Sequence, residues 1–139
     1  MSARQFLVAT DFSDPSKRAI AAAKELAAAV DGKITLLHVN DSNAFVPPQS
    51  VLRPSSGPED EEAAKSMLDA LRDELVPDAE SVVLVHRAPA RAICDFAESN
   101  DFDTIVVGSV GYGPVERWLI GSVAERVVRH ATCSVFVIR

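Results

Sequence analysis

The chain has 139 residues, 47% hydrophobic and 24% charged. That composition fits one globular domain, 1–139, and excludes a disordered chain. A net charge of -6 argues against general nucleic-acid binding. No apolar run approaches the ~18 residues of a membrane span, and MSARQFLVATD has no signal-peptide layout. A cytoplasmic protein away from membranes is expected.

Gln5-Phe6-Leu7-Val8-Ala9 is a short apolar run and reads as a fully buried strand. Asp11 to Pro15 reads as a turn, with Asp14 the N-cap and Pro15 the first residue of a helix. Ile20, Ala23, Leu26, Ala27 and Val30 recur at helical spacing, and Gly32 ends the helix. Lys33–Val39 is the second strand. Residues 41–58, with Pro47, Pro48, Pro54 and Pro58, form a long loop of the kind that serves as a lid. A helix over Glu59–Leu75 carries the apolar stripe Ala64, Leu68, Leu71 and Leu75.

Val82–Val85 is the third strand. Pro89 opens a third helix, with Ile93, Phe96 and Ala97 on one face. Thr104–Val107 is the fourth strand, a fourth helix spans about Val123–His130, and Val135–Ile138 is the fifth strand. Alternation of near-continuous apolar strands with helices predicts an α/β fold. We expect a doubly wound, five-stranded parallel sheet with helices on both faces. Ligands of such sheets bind at the carboxyl ends of the strands, where the strand order reverses. A 3-2-1-4-5 order brings two unusual loops there, Thr10–Ser13 and Gly108–Ser122.

The second loop holds four glycines, Gly108, Gly111, Gly113 and Gly121. Glycines leave backbone N–H groups uncovered toward an anion. Gly121-Ser122 opens the fourth helix, whose N-terminus favours negative charge. Residues 108–139 carry Arg117, Arg126, Arg129 and Arg139 against Glu116 and Glu125, which suits a small anion nearby. Asp11 suits ribose hydroxyls. Plainer readings stand beside these. Ser122-Val123-Ala124-Glu125 is also a capping box, Gly108 also permits close packing, and Asp11 also caps the first helix.

Gly108-x-x-Gly111, nine residues, then Gly121-Ser122 resembles the G-x-x-G-x9-G-S/T pattern of the ATP-binding branch of the universal stress protein family. Val8–Ser13, Leu36–Val39, Asp103–Ser109 and Gly121–Ala131 with Cys133 are similar to the same family, so the resemblance covers nearly the whole chain. It implies a dimeric domain that binds ATP, or ADP or AMP, with Mg2+ held by the phosphates. By resemblance, Ala9, Thr10 and Asp11 sit by adenine and ribose, Val39 meets the adenine edge, and Val107 and Gly108 pack on the ribose. Gly111, Gly121, Ser122 and Val123 hold the phosphates.

Val110 and Tyr112 are uncharged where family members often carry basic residues, and Arg87-Ala88-Pro89 stands where a glycine is usual. A nucleotide-dependent stress-response switch with at most slow hydrolysis is expected, because the loop has no lysine and the chain has no G-x-x-x-x-G-K-[ST]. The alternative is a partner-binding stress module with an empty or vestigial pocket.

The other conspicuous residues read as structural. Cys94 and Cys133 are buried hydrophobes rather than a disulfide, and His38, His86 and His130 lack metal-ligand spacing. Trp118-Leu119-Ile120 reads as a turn packed on the body or as a patch for an unknown protein partner. An apolar edge strand at Val135–Ile138 points to a homodimer that covers it.

Overall fold

The computed structural model describes residues 3–41, 58–110 and 120–139, with the side chains of 58–60 excepted. Its elements are β1 (Gln5–Ala9), α1 (Asp14–Ala29), β2 (Lys33–Asp41), α2 (Pro58–Leu75) and β3 (Glu80–His86). They continue with α3 (Pro89–Ser99), β4 (Thr104–Gly108), α4 (Ser122–His130) and β5 (Ser134–Ile138). All strand pairs are parallel and the order is β3-β2-β1-β4-β5. Beyond its ends, the loop read at 41–58 lies outside the described residues, as do Gly111, Tyr112, Gly113, Trp118 and Leu119.

The continuous apolar strands follow from burial on both faces. Phe6, Val8, Leu36 and Val106 pack with Ile20 and Ala23 of α1 and Leu68 and Leu71 of α2. Leu7, Leu37, Ile105 and Val107 pack on the opposite face with Ile93 and Ala97 of α3 and Ala124 and Val127 of α4. Leu7 and Val8 are both fully buried, so side chains pointing to opposite faces are equally apolar. Among the described residues no helix is long and apolar enough to cross a membrane.

Several element ends differ from the sequence reading. The α1 N-cap is Ser13, not Asp14; the Ser13 hydroxyl accepts from the Ser16 N–H. Asp14 is then the first helical residue and Pro15 the second. At the other end the left-handed residue is Asp31, φ 54°, and the Gly32 N–H donates to the Ala27 carbonyl at 2.7 Å. This is a Schellman ending with Asp31 in the place expected of glycine. Gly32 lacks a side chain for another reason: a Cβ there would lie 2.6 Å from the Phe6 ring. β2 runs two residues past Val39, because Asn40 and Asp41 still pair with Val85 and His86 of β3.

Candidate functional site

The sheet order reverses between β1 and β4, and an open cleft of about 570 Å³ lies at their carboxyl ends. Ala9, Thr10, Asp11, Val39, Val107, Gly108, Gly121, Ser122 and Val123 all line it. Gly111 lies outside the described residues. Reading the sequence missed Asp41, at the end of β2, and Pro89 and Ile93, at the start of α3, which also line it. Alternation along β2 carries the signal for Asp41, since Leu37, Val39 and Asp41 share one face. Pro89 and Ile93, four residues apart, share one face of α3.

The floor is set by where β1 stops. The last β1–β2 pair is Ala9 with Leu37, and the Thr10 N–H donates to the Leu37 carbonyl at 2.9 Å. In a strand, residues two apart present their backbone groups to the same side. Val39 therefore aims its N–H and carbonyl past the end of β1, into the cleft.

The Thr10–Ser13 turn is tightly held. Thr10 Oγ1 accepts from the Phe12 N–H at 3.1 Å and bonds Ser16 Oγ at 2.8 Å. The Thr10 carbonyl accepts from His38 Nδ1–H at 2.8 Å. Asp11 Oδ1 accepts from the Ser13 N–H at 3.0 Å and from the Ser13 hydroxyl. Phe12 is left-handed, φ 67°, and its ring lies 4.5 Å from that of His38. Thr10 spends its polar atoms inside the protein, so its part in the cleft is to shape the wall. Asp11 does not cap α1 directly; it braces the residue that does.

At the opposite wall the capping-box reading is overturned. Gly121 is the α4 N-cap, and among the described residues no side chain caps the helix. Ser122 is already helical, and Glu125 reaches forward to Arg129 at 2.8 Å instead of back to the cap. The first N–H groups of α4 thus open into the cleft beside the Ser122 hydroxyl.

Two glycines owe their absence of a side chain to the protein itself. A Cβ on Gly108 would come within 3.2 Å of the Pro15 backbone. A Cβ on Gly121 would lie 3.1 Å from the Ser109 carbonyl, which accepts the Gly121 N–H at 2.5 Å. That contact pins the two ends of the glycine loop together and sets the α4 N-terminus next to β4. Among the described residues no three His, Cys, Asp or Glu side chains gather as a metal site.

Comparison with known proteins agrees with this architecture. The family model described as the universal stress protein family matches residues 3–139. A universal stress protein of Methanocaldococcus jannaschii is 31% identical over 98% of this chain and 82% of its own. A universal stress protein solved in complex with cAMP is 26% identical, with a TM-score of 0.73 over 100% of this chain and 99% of that one. The universal stress protein of Archaeoglobus fulgidus in complex with dAMP is 26% identical, with a TM-score of 0.71 over 100% of both chains. The fold, the strand order and these matches together place the chain in the universal stress protein family.

Proposed function

We propose that the cleft binds an adenine nucleotide and that the protein acts as a nucleotide-dependent switch in a stress response. The observation that carries this reading is the uncapped N-terminus of α4. Its N–H groups and the Ser122 hydroxyl face a cleft whose far wall presents Asp11 and the backbone of Val39. In that arrangement the phosphate lies at the helix end, the ribose by Asp11 and the adenine edge on Val39. The cAMP and dAMP complexes of two similar structures support an adenosine ligand.

ATP, ADP and AMP share the adenosine and differ in their phosphates. Mg2+ enters only with a di- or triphosphate, held by its oxygens. The described lining residues include no Lys or Arg, so fast phosphoryl transfer lacks its usual charge compensation and any hydrolysis is slow. Nucleotide occupancy, not turnover, is then the signal.

The test is to purify the chain without added nucleotide, denature it, and analyse the supernatant by liquid chromatography with mass detection. Near-stoichiometric adenine nucleotide is expected, and its loss in Gly121→Val and Ser122→Ala proteins that still fold. An empty protein that also fails to take up added AMP or ATP would transfer the function to the partner-binding alternative.

A further inference from the structure

The end of the sheet away from the cleft holds a hollow of its own. It has a volume of about 670 Å³ and lies where β1, β2 and β3 begin, between the C-terminal end of α1 and the 76–79 turn that follows α2. Ala27, Ile34, Val76, Pro77 and Ala79 give it apolar surface. Lys24, Lys33, Asp78 and Glu80 also line it, and all four are exposed. Two are positive and two negative, yet none of these four side chains makes an ion pair or a hydrogen bond among the described residues. α1 ends at this hollow with no basic residue in its last turn, so the negative end of its dipole adds to the acidic side.

The formal charges of the lining cancel, two lysines against Asp78 and Glu80, whereas the chain as a whole carries -6. A ligand of one sign is attracted by two of these groups and repelled by the other two. A net-neutral ligand that carries both signs gives every one of them a partner. We propose that the hollow is a second ligand site, for a zwitterion with an aliphatic body, that is, a free α-amino acid or a short peptide. Its ammonium lies toward Asp78, Glu80 and the end of α1, and its carboxylate toward Lys24 and Lys33. Its hydrocarbon part leaves water against Ile34 and Val76. The site shares no lining residue with the cleft, so it stands or falls independently of the nucleotide reading.

Titration of the 15N-labelled full chain with leucine and with leucyl-leucine, followed by the amide NMR shifts, tests this. Saturating shifts are expected at residues 32–35 and 76–80, and the tighter of the two ligands tells a free amino acid from a peptide. Leucinamide and N-acetyl-leucine, each lacking one charge, should bind at least about threefold more weakly than leucine. Lys24→Gln with Lys33→Gln should erase the preference for leucine over leucinamide. Asp78→Asn with Glu80→Gln should erase the preference for leucine over N-acetyl-leucine. All four side chains are exposed, so both double variants should keep the wild-type amide spectrum away from the hollow. No saturating shift around the hollow with either zwitterion up to about 10 mM overturns the site. Blocked ligands that bind as tightly as leucine overturn it too, because the recognition would not then be of paired charges.

Discussion

Phe12 is the residue whose backbone tells most about the site. A left-handed conformation at a bulky residue costs about 1–2 kcal/mol, and it persists where neighbours over-determine it. Here the neighbours are the Thr10 hydroxyl, the Asp11 carboxylate and the His38 ring. A carbonyl only accepts, so His38 Nδ1 carries the hydrogen that reaches Thr10. Asn40 Oδ1 stands 2.8 Å from Nε2; turning the Asn40 amide over would let its nitrogen donate to the Nε2 of a neutral ring. The turned amide would also give a partner to the buried Asn40 nitrogen, which as placed has none among the described residues. His38 thus props the turn that holds Asp11 against the cleft. Removing it strands the buried Thr10 carbonyl, so His38→Ala should cost about 1–3 kcal/mol in urea unfolding. It should also weaken nucleotide binding more than Cys133→Ala, a half-buried change outside the cleft lining. Unchanged stability would mean that the ring merely fills space.

At the scale of elements, α2 and β3 are joined by a polar clasp. Lys65 Nζ donates to Asp69 Oδ1 at 2.8 Å and to Ser81 Oγ at 2.5 Å, and Arg72 donates to the same Ser81 oxygen at 3.2 Å. β3 is an edge strand, and the clasp ties its start at Ser81 to α2. Hydrogen bonds from Lys65 and then Ser81 hold the Asp69 carboxyl below its usual range, against partial desolvation. A carboxyl lowered in the folded state stabilises above its unfolded value, about 3.9, and loses that contribution as pH falls through the folded value. Asp69→Asn should therefore lower the unfolding midpoint at pH 7, with the difference shrinking below about pH 4. A difference independent of pH would show that the carboxylate charge plays no part.

The elements also show where sequence patterns reach and where they stop. Burial on both faces writes β1 and β4 plainly into the sequence as apolar runs. The helix ends are harder to read. Ser13 and Asp14 are both good caps, and Ser13 prevails through its contact with Asp11. α1 and α3 both end on a left-handed aspartate, Asp31 and Asp101, where composition favours glycine. The glycine spacing already pointed to the Gly108 and Gly121-Ser122 wall of the cleft. Alternation puts Asp41 on the face of Leu37 and Val39, and helical spacing puts Pro89 and Ile93 on one face, but it takes the extension of β2 and the placement of α3 to bring those faces to the cleft.

For the whole molecule, the two sheet edges are treated differently. β3 has its charged clasp; β5 is apolar, and Phe136 is 43% exposed on it. Val128, on α4, is 51% exposed. An open apolar edge invites pairing, and a two-fold axis closes it in one step without leaving a further edge to propagate. A homodimer formed through Val135–Ile138 would set the two copies edge to edge, with β4 and its cleft one strand away from the interface. The glycine-loop anchor already touches β5, because the Ser109 N–H donates to the Ile138 carbonyl at 2.8 Å. Were the cleft occupied and β5 paired with a second copy, the two events would meet at adjoining residues. Light scattering of the wild-type chain at micromolar concentration should give twice the 14.9 kDa monomer. Phe136→Lys places a charge on the exposed apolar face and should weaken the dimer at least about tenfold, roughly 1.4 kcal/mol, while circular dichroism keeps the α/β signature. A wild-type chain that scatters as a 14.9 kDa particle at that concentration would remove β5 as the interface.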